Sequence, residues 1–383
     1  MASVSGTKLT SAASERVVAI CNGFGFKLLL EIVKPEVKQN ILVSPLDLAL
    51  ALFMICNGAG GDTKQALKDV LETSNLSTEE INQASQSLLE SLLSPVDGVV
   101  LTIANALWSQ EGLRFSAAFA QDVRRFYSAE ASSLDLGSPG AIASINKWAQ
   151  EHTGGKIKKL LASSDLSAGS DCILTSAVYF KGHWTVPFPK SGTHYDLFHL
   201  PTGQSRKVPT MQRAGRYNYC QSSEFQAVSL PYGDGRLSMY IFLPAEHSSV
   251  TKLSQEMAHQ AWEEWLTKFE VKQLNLALPR FKLTYEAEMS EPLGAVGLGI
   301  MFRNGADLGP MGLRGHYIEQ FKHKAIAEVS EEGTEAAAIT AVIMGRSLLP
   351  SLSMVVNRPF FWAIRDNTTG TLIFIGLVID PGS

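Results

Sequence analysis

Apolar positions in the first third of the chain recur at helical spacing. Val17, Val18, Ile20, Phe24, Phe26, Leu28, Leu29, Ile32 and Val33 fit one amphipathic helix, against which Gly23 and Gly25 count. Ser44-Pro45 reads as a helix start, because proline suits the first helical position and an apolar run follows. Thr63 to Leu71 and Thr78 to Leu93 predict two more helices, the second with acidic residues in its first turn, where they complement the helix dipole. Ala141 to His152 predicts another, stopped by Gly154-Gly155. Alternation of period two marks strands at Val100 to Trp108, Ile173 to Phe180 and Leu237 to Leu243. Leu274 to Leu283 alternates as well, with Pro279 signalling an edge or a bend. Phe360 to Arg365 and Thr371 to Val378 form a last strand pair around the turn Asp366 to Gly370. Helices gather early and strands late, without βαβ alternation, which predicts an α+β fold rather than a doubly wound one.

One tract fits neither pattern. From Glu328 the chain runs through charge, then the small residues Ala336, Ala337 and Ala338, then Thr340, Val342 and Ile343, and reaches Arg346-Ser347 with no proline before Pro350. Small side chains are tolerated in a loop, and β-branched ones favour extended strand. Most surface loops are barred from entering a sheet by proline, glycine clusters or charge on both faces. This tract is open to both states, the property of a switch.

The 383 residues are 45% hydrophobic and 18% charged, ordinary for a chain with a sizeable core. A formal net charge of -4 points to neither nucleic acid nor an anionic membrane. The widest apolar run, Ile41 to Ile55, is broken by Ser44, Pro45 and Asp47, short of the ~20 residues of a membrane span. The first residues lack the charged start and apolar core of a secretory signal. A cytoplasmic location is therefore expected, with export by another route left open. Cys21, Cys56, Cys172 and Cys220 lie far apart among small or apolar neighbours and read as buried free thiols. Asn75 and Asn367 match the glycosylation pattern, read as chance without an export signal.

Enzymatic signatures are missing. The chain has no GxSxG elbow, no HExxH and no phosphate-binding loop. Gly294, Gly297 and Gly299 have the wrong spacing for a dinucleotide fingerprint. His194 and His199, five apart in a stretch that reads as loop, show no metal-ligand spacing, and surface or hydrogen-bonded histidine is the plain reading. No cofactor or metal is expected.

A series of motifs resembles the serpin family from about Ala19 to Pro381. Asn40 to Pro45 is similar to the start of the family's second helix, and Gly58 to Thr63 with Leu67 to the next. Asn105-Ala-Leu-Trp108 resembles a strand of the main sheet, and Ile145 to Trp148 through Thr153 to Ile157 the helix lying across it. Ala177 to Trp184 looks like the strand at the opening of that sheet. Leu230-Pro-Tyr232, Leu278 to Phe281 and Asn357 to Phe360 complete the series in family order. The resemblance implies a single domain over residues 1–383, with three β-sheets, eight or nine helices and an exposed reactive loop at about 331–356. Length alone suggests two or three domains.

It also implies a function: a monomeric suicide inhibitor whose loop a serine protease attacks, and which then inserts as a new central strand. The general manoeuvre is a known example of loop insertion. With Gly333 as the start of the hinge, Thr334, Ala336, Ala338, Thr340 and Val342 share one face of the inserted strand, and none is charged. Glu335 falls on the other face with Ile339 and Ile343. Two criteria for the scissile bond disagree. The family's usual spacing from Gly333 gives Ser347-Leu348, which suits subtilisin- or elastase-like enzymes. The preference of trypsin-like proteases for arginine gives Arg346-Ser347, the preferred assignment. A cysteine protease as target, and a non-inhibitory carrier, chaperone or storage role, remain open alternatives. The family's latch maps onto Ser44, Asp47, Ser176 and His323, with Asp47 in place of serine and Ser176 in place of asparagine; Asp47 is expected to reach His323 through a charged hydrogen bond. Trp184, Arg280 and Glu331 match the group at the opening of the main sheet. Leu76 to Leu93 carries no Lys or Arg, so a heparin site there is not expected.

Overall fold

The computed structural model describes residues 11–33, 37–166, 169–257, 259–332 and 352–382, and the side chains of these except 259 and 260. The hinge from Gly333 to Ala338 and the bond Arg346-Ser347 lie outside the described residues.

Helices α1 (Ala12–Ile32), α2 (Pro45–Gly58), α3 (Gly61–Val70) and α4 (Thr78–Leu92), with the short strand β1 (Ile41–Val43) between the first two in sequence, dominate the N-terminal third. Three of the expected helix starts carry a side-chain cap. Ser11 caps α1, Ser44 caps α2 ahead of Pro45, and Ser77 with Glu80 forms a capping box on α4. The glycines that counted against α1 do not break it. A Cβ on Gly25 would stand 2.3 Å from Cβ of Pro45, so the glycine lets α1 and α2 approach.

Next come β2 (Val99–Gln110), α5 (Ala117–Tyr127), β3 (Glu130–Leu134), α6 (Pro139–His152) and β4 (Cys172–Gly182). Then follow β5 (His194–His199), β6 (Ser205–Gln221), β7 (Phe225–Tyr232), β8 (Leu237–Pro244), α7 (Val250–Glu256) and α8 (His259–Leu266). The chain closes with β9 (Glu270–Pro279), β10 (Phe281–Glu288), α9 (Ser290–Leu293), β11 (Gln320–Val329), β12 (Leu352–Val355), β13 (Phe360–Asp366) and β14 (Leu372–Val378). The class is α+β, with nine α-helices among the described residues.

Hydrogen bonding joins the described strands into two sheets rather than three. A five-stranded sheet has the order β10-β11-β4-β2-β3, and a nine-stranded one runs β1-β14-β13-β8-β7-β6-β9-β12 with β5 on β6. The expected third sheet does not separate because β6 serves both halves: it pairs with β9 from Thr210 to Tyr219 and with β7 from Asn218 to Gln221. Two sequence expectations change here. Leu274 to Leu283 is not one strand: β9 ends at Pro279 in the larger sheet and β10 begins at Phe281 in the smaller, since proline cannot donate to a continuing ladder. His194 and His199 are not in a loop but at the two ends of β5, where both are exposed.

The main core lies between the two sheets and around α2, nearly all of whose residues are buried. A second, smaller core on the other face of the five-stranded sheet is roofed by α6, where Trp108 of β2 meets Trp148 edge-on at 5.4 Å. All four cysteines are buried and unpaired, and burial pushes the Cys21 thiol up to about 12. No helix among the described residues is long and apolar enough to cross a membrane.

Candidate functional site

Those of the singled-out residues that the structure describes lie along or beside one line, the seam between β4 and β11. These strands run parallel, paired from Gln320–Ile173 to Ala327–Phe180, and separate beyond that point.

Midway along the seam, Asn105 of β2, Ser176 of β4 and His323 of β11 stand side by side in a single row. Asp47, in the first turn of α2, reaches this row, and all four side chains are buried. Asp47 Oδ1 accepts from Asn105 Nδ2 at 2.6 Å, and Oδ2 accepts from the Ser176 hydroxyl. Ser176 Oγ is 2.8 Å from His323 Nδ1, whereas that nitrogen is 3.6 Å from Asp47 Oδ2. The expected direct hydrogen bond from Asp47 to His323 is therefore replaced by a relay through Ser176. Serine has one proton and gives it to the carboxylate, so Nδ1 of His323 must donate to Ser176. Nε2 is buried with no hydrogen-bond partner. Ser44 stands apart from the row: its hydroxyl accepts from Asp47 N at 3.3 Å and so orients the aspartate.

Where the seam opens, Trp184 stacks on Tyr232 at 4.3 Å and donates from Nε1 to Ser330 O at 2.8 Å. Phe188 N donates to Glu331 O at 2.8 Å and Trp184 N to Glu332 O at 3.2 Å. Glu331 accepts from Thr193 Oγ1 at 2.8 Å and lies 3.5 Å from Arg280 Nε, so the expected Arg280–Glu331 pair is present. Lys190 meets Glu332 at 2.6 Å, a hydrogen bond that holds the lysine above its usual pKa. The chain is thus pinned at several points up to the last residue before the hinge.

Sequence reasoning missed Asn105, although an amide between Ile103 and Leu107 on a core-facing stripe is a signal. It also missed two polar links across the seam on the α6 face. Lys322 of β11 bonds Asp165 at 2.8 Å, and Lys324 bonds Lys159 O at 2.6 Å and Glu286 at 2.7 Å. Asp165 and Lys159 belong to the connector between α6 and β4, itself tied to α6 by Asn146 through Leu160 and Leu161. For Asp165, burial alone would raise its carboxyl, but the Lys322 bond, the Ala162 amide and neighbouring lysine charge hold it below the usual range.

An α+β body of two sheets, with a parallel seam between β4 and β11 inside the five-stranded one, defines the architecture. The family model for serpins (serine protease inhibitors) matches residues 19–381, and the chain belongs to that family. It is 33% identical to serpin-Z7 of Hordeum vulgare, covering 94% of each chain. It is 31% identical to the leukocyte elastase inhibitor of Bos taurus, over 96% of this chain and 100% of that protein. The native state of tengpin, a thermophilic serpin, superposes with a TM-score of 0.88 at 28% identity, covering 98% of this chain and 96% of that one. Relatives of this kind are inhibitors, and the chain is not an enzyme.

Proposed function

We propose that this serpin is a single-use inhibitor of trypsin-like serine proteases, cleaved between Arg346 and Ser347. The observation that carries the reading is the β4–β11 seam, parallel below and open above Ala327–Phe180. A strand that turns back at Gly333 and enters this seam runs antiparallel to both neighbours. One parallel ladder is thereby exchanged for two antiparallel ones, the better-bonded arrangement. The small or β-branched face of Thr334, Ala336, Ala338, Thr340 and Val342 suits burial against the main core. Gly333 to Arg346 is 13 residue steps, so full insertion would carry an enzyme bound at Arg346 roughly 40 Å at about 3.3 Å per residue. In this reading Asp47, Ser176 and His323, with Ser44 and Asn105, hold the seam shut until cleavage. Trp184, Arg280 and Glu331 hold the point of entry. Four buried, unpaired cysteines fit a reducing compartment and an intracellular site of action.

Mixing the protein with trypsin and resolving the products on a denaturing gel tests the proposal. The expected product is a covalent band near the summed masses, and sequencing the released C-terminal fragment should begin at Ser347. Clean cleavage without a covalent band would favour a non-inhibitory role. A fragment beginning at Leu348 would move the bond to the one suited to elastase- or subtilisin-like enzymes.

A further inference from the structure

Above the last β4–β11 pair, on the face roofed by α6, lies a cleft of about 840 Å³. Its positive charges come from separate segments: Lys156 just after α6, Lys181 of β4, Lys190 in the β4–β5 connection, and Arg280 and Lys282 where β10 begins. Its negative charges are Glu328, Glu331 and Glu332, on the β11 side. Lys282 meets Glu328 at 3.2 Å, Arg280 meets Glu331 at 3.5 Å, and Lys190 meets Glu332 at 2.6 Å. Among the described residues, five cations against three carboxylates leave the cleft at +2. The chain as a whole carries -4, so this is a local reversal of sign.

The existing pairs do not fill the site. Arg280 keeps a partner, Glu331, that is 10% exposed, but the side chains of Lys190 and Lys282 are 75% and 63% exposed, and ion pairs in that setting contribute little. They exchange readily for a ligand that concentrates charge. Lys156 lies over the Tyr179 ring at 5.6 Å, which places its ammonium above β4 beside the seam. The cations therefore stand on both sides of the line along which β4 and β11 would part. A single anion spanning Lys156 and Lys181 on one side and Arg280 and Lys282 on the other would cross that line.

We propose that this cleft binds a compact polyvalent anion, a molecule carrying several phosphate or sulfate groups, and that the bound anion staples the seam closed. Guanidinium and ammonium groups on separate segments match multiple oxyanion groups better than any single carboxylate. Admitting a strand would move the two sides apart by about one strand spacing, ~4.8 Å, and break the bridge. A ligand selective for the closed sheet must shift the equilibrium toward it. The effect on inhibition rests on the loop-insertion reading above; binding to the intact protein does not.

Inositol hexakisphosphate is a suitable probe, titrated against the full chain at low and moderate salt. Binding should weaken steeply with salt and raise the melting temperature of the intact protein by several degrees. The Lys156→Gln/Lys181→Gln double variant should bind at least tenfold more weakly. The Lys64→Gln/Lys68→Gln variant, which removes the same charge from α3, should bind as the wild type does. A saturating dose should also slow formation of the trypsin complex several-fold. A heparin oligosaccharide separates the two sources of oxyanion chemistry: it should compete with the probe and lose affinity in the same cleft variant if sulfate serves as phosphate does. No binding to the wild type, or equal loss in both double variants, overturns the site. Binding at the site with no slowing of complex formation overturns the staple. If no trypsin complex forms even without the anion, the inhibitory reading fails, while the binding result still decides the site.

Discussion

Strand β4 has two neighbours, and its two seams are built on different principles. The seam with β2 is antiparallel and runs from Val99–Gly182 to Ser109–Cys172, the full length of β4. On its outer face Trp108 packs against Trp148 of α6 and donates to Thr175 at 2.9 Å. The seam with β11 is parallel, stops short at Ala327–Phe180, and is bridged on the same face by Lys322 and Lys324. Apolar packing under α6 is non-directional and lost only when the surfaces separate. Charged links are local and can be exchanged for others. In the proposed mechanism one sheet thus joins a fixed half to an openable half, and the difference lies in ladder direction and cover. The row on Asp47 spans both, bonded to Asn105 on the β2 side and, through Ser176, to His323 on the other.

The largest effect should come from blocking entry into the openable seam. Cleaving the wild-type loop should raise the melting temperature by on the order of 10–20 °C, from about a dozen new ladder hydrogen bonds at ~0.5–1.5 kcal/mol each. Thr334→Arg would place an unpaired charge on the core face of the inserted strand, opposing insertion by several kcal/mol. The variant should melt like the wild type while intact, lose most of the rise on cleavage, and trap no trypsin. A variant that still forms the covalent complex would mean that the strand does not enter here.

The next comparison sets one residue from each half side by side. Trp108→Ala removes an aromatic from a seam that persists in both states, so it should lower intact and cleaved forms alike by about 3–5 kcal/mol. Asp47→Ala strands Asn105 and breaks the relay to His323, at a cost of about 3 kcal/mol to the intact form. Insertion would separate Ser176 from His323 in any case, so the cleaved form should lose less. Chemical denaturation of both variants, each intact and cleaved, measures the four values. Equal losses in both forms for Asp47→Ala would remove the distinction between the seams.

Much of this arrangement could be read from the residues. Phe360 to Ile364 and Leu372 to Val378 are buried on both faces, so their unbroken apolar runs stand out. Of the residues mapped from motif order, Asp47, Ser176 and His323 lie together and Arg280 meets Glu331, because each motif fixes a position in one element. What stayed hidden depends on contacts between distant segments. β5 gave no strand signal because residues on both of its faces, among them His194, Tyr195, Leu197 and His199, are exposed, leaving no alternation to detect. Pro279 signalled a bend, yet nothing local says that the bend carries the chain into another sheet. Ser176 and Asp47 were both in view, but which hydroxyl intervenes before His323 depends on side-chain positions across three strands. Lys322 and Lys324 carry no local signal of a role, since the connector groups they bond are about 160 residues upstream.

Those two lysines give the smallest effect and the sharpest test of where the openable half is held. Lys322→Met keeps the aliphatic stem and removes the bond to Asp165, whose side chain, like that of Lys322, is 14% exposed. The expected loss is about 1 kcal/mol in the intact protein, within the range for a single partly buried charged hydrogen bond. Its sign with pH follows from Asp165. A carboxyl held below its ordinary value contributes stability that is fully present above about pH 4, and loses it as pH falls through the lowered value. The melting difference between wild type and Lys322→Met should therefore be constant from pH 5 to 8 and narrow below about pH 4. Because the connector must release β11 before a strand can enter, the variant should also form the trypsin complex faster, by several-fold. A variant that is less stable yet no faster would show that the Asp165 link steadies the native sheet without lying on the path of insertion, and would shift the restraint to the Asp47 row alone.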